Sequence, residues 1–325
     1  MDILLSSSHR YPAYRSESAG LNPTPYPSGS AYVTHDLLAK GLSELGNQVF
    51  YFPRGGADDA MPPDVRLVVE PRHDADIHHM LIDTDELSYW RDCPWPKPRL
   101  MSCHIDPRLI DRNWGEVSEQ WVFVSRTLAE SHGCTRFVWN GLNPTDYIFS
   151  ATKQDYHLFM APMDWADRKG LDVALDLAKS IGFRLIVAGG SSSSKVIGEV
   201  SDRCEPFPNV DYIGDVRGLY KAELLAGARS LIFPTKVNEA FGLVIAEALM
   251  SGTPIVCSKR GACTELVTHD VGFTCDNKED YISALNNIER ISPANCREKA
   301  LRDFHYLHMA ENYVTEYERE LVESA

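Results

Sequence analysis

The sequence predicts an α/β protein of two doubly wound domains in tandem, and three observations predict it. The chain is 325 residues long, about twice the usual domain size. Short β-type runs alternate with helical periodicity through both halves, the rhythm of parallel sheets crossed by helices. With 44% hydrophobic and 24% charged residues, the chain has the balance of a folded globular protein.

In the first half, Asp2-Ile-Leu-Leu5 reads as a strand, followed by a polar, Pro- and Tyr-rich loop over residues 6–30 that carries Tyr11, Tyr14 and Tyr26 and is expected to shape a binding surface. A helix is predicted over residues 31–45, with Val33, Leu37, Leu38, Leu42 and Leu45 on one face and Gly46 as its C-cap. Strands follow at 48–52, 66–69, 99–103 and 120–124, then a short helix at 125–132 and a last strand at 136–139, before the turn at Asn140-Gly141. The polar, patternless stretch 150–153 sets the boundary, so the expected domains are residues 1–150 and 151–304.

The second half repeats the pattern more cleanly. Strands are expected at 157–160, 184–188, 210–213, 230–233 and 254–257, with helices at 171–181, 219–227 and 241–250. Two Rossmann-like domains are the natural reading. The serine run 191–194 reads as a solvated loop. Ser292-Pro293 supplies an N-cap and a proline at N1. The terminal helical stretch that follows carries Ala300, Phe304, Leu307, Tyr313, Tyr317 and Leu321 at helical intervals, an apolar face that must dock.

Charge and cysteine usage exclude several classes. Residues 1–150 carry 13 basic and 20 acidic side chains and residues 151–325 carry 19 and 26, so each half is −7 and the chain −14. Nucleic acid is excluded as a main partner, and the charge gives no support for association with an anionic membrane. An anionic ligand must be held locally, by a few cations and helix N-termini. The eight cysteines form no C-x-x-C pair, and the apolar start Ile3-Leu4-Leu5 is too short for a signal peptide, which points to a reducing cytoplasm. No apolar run approaches the roughly 20 residues of a membrane span.

The segment richest in chemistry runs from Pro234 to Val256. A strand ends at Pro234, a loop carries Glu239, and a helix is expected to begin near Phe241, Gly242 or Leu243, with its unpaired N–H groups offered to a diphosphate. Glu247 then stands about 7–8 Å along the helix axis from Gly242 at 1.5 Å per residue. Two carboxylates so spaced could grip hydroxyls at the two ends of a sugar nucleotide. A solvated pair of acids is the plain alternative, but Glu247 lies among Val244, Ile245, Ala246, Ala248 and Leu249, where an unpaired carboxylate is costly.

Glu239 and Glu247, separated by seven residues and followed by Ala-Leu-Met-Ser-Gly-Thr-Pro-Ile-Val and Gly261-Ala-Cys-Thr-Glu265, resemble the E-x7-E signature of retaining GT-B glycosyltransferases, in particular glycosyltransferase family 4. Asn209–Asp215, Ala228–Pro234, Asp164–Gly170 and Leu185–Gly190 are similar to further segments of that family. The resemblance implies two Rossmann-like domains facing across a cleft, with the nucleotide-sugar donor held by the C-terminal one and a small-molecule or glycan acceptor by the N-terminal one. It also implies a last helix, about 305–325, that packs back on the N-terminal domain. Catalysis is implied to need no metal and no cofactor, with UDP the default nucleotide. In these terms Glu239 orients the transferred sugar, Glu247 binds the ribose, Lys169 neutralises the leaving diphosphate, and His104 lies near the donor sugar. Gly29, in Ser28-Gly29-Ser30, resembles the family's glycine-rich turn. The family's Gly-Arg pair is replaced by Ala161-Pro162, and Arg168 is the candidate for the missing charge.

Other signals carry less. The run from His73 to His79 is rich in metal-ligand types and Asp83-Thr-Asp85 spells a D-x-D, yet both read as solvated loop. Trp90, Trp95 and Trp114 could stack on a sugar but fit core packing better. Gly189-Gly190 lacks the G-x-G-x-x-G of a nicotinamide site. The rival functions are a GT-B sugar-nucleotide epimerase and a non-catalytic sugar-nucleotide-binding scaffold.

Overall fold

The structure, a computed structural model, describes residues 1–11, 13, 31–57, 65–82, 98–106, 108 and 119–324. The candidates Gly29, Asp83, Asp85, Trp90, Trp95, Trp114, Tyr14 and Tyr26 lie outside these residues. The described residues divide into two compact units, one made of those up to Asn143 together with the segment from Phe304 onward, the other Pro144–Asp303.

In the first unit, β1 (Asp2–Ser7), β2 (Gln48–Pro53), β3 (Val65–Leu67), β4 (Ile77–Ile82), β5 (Arg99–Cys103) and β6 (Trp121–Phe123) form a parallel sheet in the order β3-β2-β1-β4-β5-β6. Ile3, Leu4 and Leu5 have no exposed surface, as expected of a central strand covered on both faces. Helices α1 (Ala31–Glu44) and α2 (Arg126–Ser131) follow β1 and β6, the second capped by Ser125 Oγ accepting from Leu128 N at 3.2 Å.

The run from His73 to His79 is not all loop. His78 and His79 are buried in β4, between β1 and β5. A neutral imidazole is largely apolar, so a central strand can hold it where a charged group would be expelled. His79 Nδ1 shares a 2.6 Å hydrogen bond with Tyr317 Oη. Residues 136–139 make only an isolated bridge, Phe123 to Phe137, instead of a strand. Arg136 is drawn away to the terminal helix.

In the second unit, β7 (His157–Met160), β8 (Leu185–Ala188), β9 (Val210–Tyr212), β10 (Leu231–Phe233), β11 (Ile255–Ser258) and β12 (Gly272–Cys275) pair in the order β12-β11-β10-β7-β8-β9, again all parallel. Helices α3 (Ala166–Lys169), α4 (Leu171–Ile181), α5 (Ser194–Cys204), α6 (Gly218–Gly227), α7 (Leu243–Met250), α8 (Cys263–Leu266), α9 (Lys278–Asn286) and α10 (Pro293–Asp303) accompany them. The serine run begins as loop at Ser191 and Ser192 and ends as the start of α5, with Ser193 its N-cap and Ser194 its first residue. Ser193 Oγ accepts from Val196 N at 3.4 Å and Ser191 Oγ donates to Asp164 Oδ1 at 2.7 Å. Serine competes well for exactly those orphan amides that begin a helix.

The terminal stretch is two helices, α10 and then α11 (Tyr306–Glu323), which belong to different units. Tyr313 and Tyr317 of α11 are buried in the first unit, and Gly41 of α1 comes so close that a Cβ there would stand 2.8 Å from Ala310 Cβ. Arg136 Nε and Nη1 reach Glu316 at 2.6 Å and Glu320 at 2.9 Å, with Arg136 and Glu320 almost wholly buried. The apolar face read from the sequence is thus locked by a buried ion pair, which is costly to break by halves.

Burial holds several histidines of this unit neutral. His79 is pushed down to about 3 and His78 to about 4, in both cases first by desolvation. The unfolded chain takes up protons below its ordinary histidine pKa of about 6.5 while these two side chains refuse them. The first unit is therefore expected to lose stability as pH falls from about 6.5 toward 4, by up to about 1.4 kcal/mol per pH unit for each such histidine. Denaturant unfolding at pH 7 and pH 5 should show this slope, and His79→Leu should make it shallower. An equal slope in the variant would contradict the assignment.

Candidate functional site

β7 and β10 are neighbours in the second sheet, and the strand order runs outward from them in both directions. At such a reversal the segments leaving the two carboxyl ends part, and ligands of doubly wound sheets bind there. The segment after β7 carries Lys169, and the segment after β10 carries Glu239.

Two glycines bring these segments together. Gly170 has φ 82°, and a Cβ on it would stand 2.0 Å from Pro234 O. Only glycine both adopts this conformation at no steric cost and permits so close an approach. Beside it, Lys236 N donates to Arg168 O at 2.8 Å. Gly261, with φ 57°, approaches Glu239 from the β11 side, where a Cβ would stand 2.3 Å from Glu239 O. Ala262 N donates to the same carbonyl at 2.9 Å. With both backbones clamped, Lys169 Nζ meets Glu239 Oε2 at 2.5 Å, the two side chains being 16% and 11% exposed. Lys169 Nζ also lies 5.2 Å from the centre of the Phe233 ring.

Helix α7 begins immediately beyond. Gly242 is its N-cap in the left-handed region, φ 90° and ψ 61°, Leu243 is its first residue, and Phe241 is buried just before it. A glycine cap places no side-chain acceptor of its own on the first-turn amides, which favours an anionic ligand there. A Cβ on Gly242 would stand 3.3 Å from Glu239 Cγ, so the Glu239 side chain passes directly over the helix start.

Further along α7, Glu247 Oε1 accepts from Lys221 Nζ at 2.6 Å and from Tyr147 Oη at 3.2 Å. Lys221 and Glu247 are 11% and 12% exposed. The partner that an acid in this apolar stretch requires is therefore a lysine from α6. Sequence reasoning did not name Lys221, Tyr147 or the clamp made by Gly261. A signal for the first existed: Lys221 shares the i, i+3, i+4 stripe with Leu224 and Leu225, all buried, and is the charged residue on that stripe.

Arg168 is exposed, with its guanidinium 5.0 Å from the Trp165 ring centre, so it stands beside Lys169 in sequence but packs on an aromatic face. Ala161 is buried against Gly189, whose Cβ, were there one, would stand 1.8 Å from Ala161 O. His104 belongs to the first unit, after β5, and desolvation pushes it down to about 3, leaving a neutral imidazole near His35 and His79. Among the described residues, no group of three or more His, Cys, Asp or Glu side chains is arranged to hold a metal ion.

The chain is similar in sequence and in fold to known glycosyltransferases. Residues 149–302 match the family model of Glycosyl transferases group 1. A curated relative is an uncharacterized glycosyltransferase of Methanocaldococcus jannaschii, 24% identical over 178 residues, 47% of this chain and 45% of the relative. Another is the GDP-mannose-dependent alpha-(1-6)-phosphatidylinositol dimannoside mannosyltransferase of Mycobacterium tuberculosis, 31% identical over 119 residues, 36% of this chain and 30% of the relative. The matched stretches span less than half of either relative. Among solved structures, AviGT4, a glycosyltransferase involved in avilamycin A biosynthesis, superimposes with a TM-score of 0.74 over 99% of both chains at 22% identity. HepE of Anabaena in complex with UDP and glucose gives 0.68 over 98% of this chain and 99% of that one at 15% identity. The fold is the α/β GT-B fold of these structures, with its two six-stranded parallel sheets.

The clamp on Glu239 is open to a direct test. Gly261→Ala must push the 239 backbone aside, and overpacking of this kind costs about 1–3 kcal/mol. Denaturant unfolding of the second unit should register that loss, whereas an unchanged midpoint would show that Gly261 does not hold the loop.

Proposed function

We propose that this protein is a retaining glycosyltransferase that moves a sugar from a nucleoside diphosphate sugar, with UDP as the nucleotide, to an acceptor hydroxyl without a metal ion. The observation that carries the proposal is the Lys169–Glu239 pair, set at the reversal point of the second sheet and against the start of α7. The family match over residues 149–302 supports the same reading. The match to HepE with bound UDP supports the choice of nucleotide.

The demanding step is departure of the diphosphate as positive charge grows on the anomeric carbon, so stabilising the leaving group matters most. Lys169 is the cation that takes this charge, and the first amides of α7, from Leu243 onward, add their dipoles. Gly242 keeps the approach to those amides clear of a side chain, and Phe241 walls it. In the unliganded protein Lys169 is held by Glu239. The incoming diphosphate takes over the lysine, and Glu239 becomes an acceptor for sugar hydroxyls. Glu247 receives the ribose. Retention then follows from attack on the face the diphosphate leaves, with the departing phosphate oxygen accepting the acceptor's proton. His104, neutral, keeps the hydrogen-bonding capacity that its proposed role toward a sugar requires, and Arg168 adds positive charge at the rim. The buried thiols described in the structure fit a reducing, cytoplasmic setting. The first unit would then serve the acceptor.

Two substitutions separate these roles. Glu239→Ala should leave UDP affinity within about 3-fold while transfer falls at least about 100-fold. Glu247→Ala should weaken UDP binding by about 10-fold or more, the size of a lost hydrogen bond to a charged group. Calorimetry and a radiolabelled-sugar transfer assay read the two. A fully active Glu239→Ala, or a Glu247→Ala protein with unchanged affinity, would refute the respective role. A thermal-shift screen of UDP-, GDP-, ADP- and TDP-sugars should single out the UDP series, because a ligand bound only by the folded state raises the melting temperature. A shift with GDP-sugars alone would overturn the nucleotide assignment.

A further inference from the structure

The carboxylate of Glu247 is not symmetric in its surroundings. Both protein donors, Lys221 Nζ at 2.6 Å and Tyr147 Oη at 3.2 Å, fall on Oε1. Oε2 takes no hydrogen bond from the described residues. The donors come from separate parts of the second unit, Lys221 from α6 and Tyr147 from the segment before β7, so they hold the carboxylate from two directions. With the three side chains largely enclosed, the group cannot rotate to offer its oxygens in turn without losing a charged partner. Two donors on one oxygen and none on the other make a fixed, one-sided acceptor.

We propose that Lys221, assisted by Tyr147, is the positioning residue that makes Glu247 a reader of ribose, presenting Oε2 to one hydroxyl of the sugar's vicinal diol. The proposal rests on the nucleotide-sugar reading given above and adds to it the residue that sets ribose against deoxyribose. Lys221 acts through Glu247 and not on the phosphates. Its ammonium is occupied by Oε1, whereas Lys169, beside the start of α7, is the cation for the diphosphate. A ligand lacking the hydroxyl would leave Oε2 desolvated and unpaired, which is what turns a single hydrogen bond into discrimination.

The test compares UDP, 2′-deoxy-UDP and 3′-deoxy-UDP by calorimetry on the full chain, with GDP and its deoxy forms if the thermal-shift screen selects that base. Wild type should bind one deoxy form about 10-fold or more weaker than the parent, as expected for one hydrogen bond to a charged group. In Lys221→Met that preference should fall to about 2-fold, mainly through weaker binding of the ribo form. Lys221→Arg, which keeps the charge, should stay within about 2-fold of the wild-type preference, and Tyr147→Phe should lower it by about 3-fold. Equal weakening of all three nucleotides by Lys221→Met would make Lys221 a phosphate contact, overturning this inference while leaving the glycosyltransferase reading intact. A wild-type protein that binds UDP without any ribose preference would remove the Glu247 role and this inference together. Should Lys221→Met fail to fold, Tyr147→Phe decides: a wild-type preference in that variant overturns the one-sided hold.

Discussion

Close backbone contact between Gly170 and Pro234 is the constraint on which the site depends. The carbonyl of Pro234 stands where a Cβ of residue 170 would have to be, so the segments leaving β7 and β10 touch at a point that tolerates no side chain. From that contact Lys169 and Glu239 are delivered to one another. Gly261 repeats the device from the β11 side against Glu239 itself. Three consecutive parallel strands in space, β7, β10 and β11, thus converge on one ion pair through glycine contacts at their carboxyl ends.

The electrostatics follow from that packing. A chain of net charge −14 repels a diphosphate at long range. Near the start of α7 the balance is local, with a lysine against each of the two motif glutamates. Each pair is mostly buried, and each lysine comes from a different segment of the chain than its acid. Neither pair is a source of much stability by itself, since desolvation offsets attraction in such settings. Their value is positional. They orient two carboxylates and two lysine side chains against one another in surroundings where a lone charge would be costly.

The two units handle polar side chains differently. In the second, charges are paired around the helix α7. In the first, His35, His78, His79 and His104 are kept neutral by burial, with His79 tied to Tyr317, while His9 Nε2 lies 2.9 Å from Asp36 Oδ1. Asp36 is pushed up by burial and drawn down by His9, the first effect being larger.

Much of the second unit was legible in the sequence. Its central strands β8 and β10 are continuous apolar runs, helix α4 has a one-sided buried stripe, and the spacing of Glu239 and Glu247 is a local property of a loop and a helix start. The first unit was less legible because its central strand β4 hides two histidines that read as polar, and because residues 136–139 have strand composition but a side chain, Arg136, committed to α11. Partners distant in sequence could not be read at all. Lys221 with Glu247, Tyr147 with Glu247 and Gly261 with Glu239 are adjacent only after the sheet order places their strands and helices side by side. The amino-acid order by itself determined the periodicities, the caps and the positions of the charged groups along each element. The tertiary structure decided which charge meets which, because ion pairing acts over a few ångströms and sequence spacing measures that distance only within a single helix or turn.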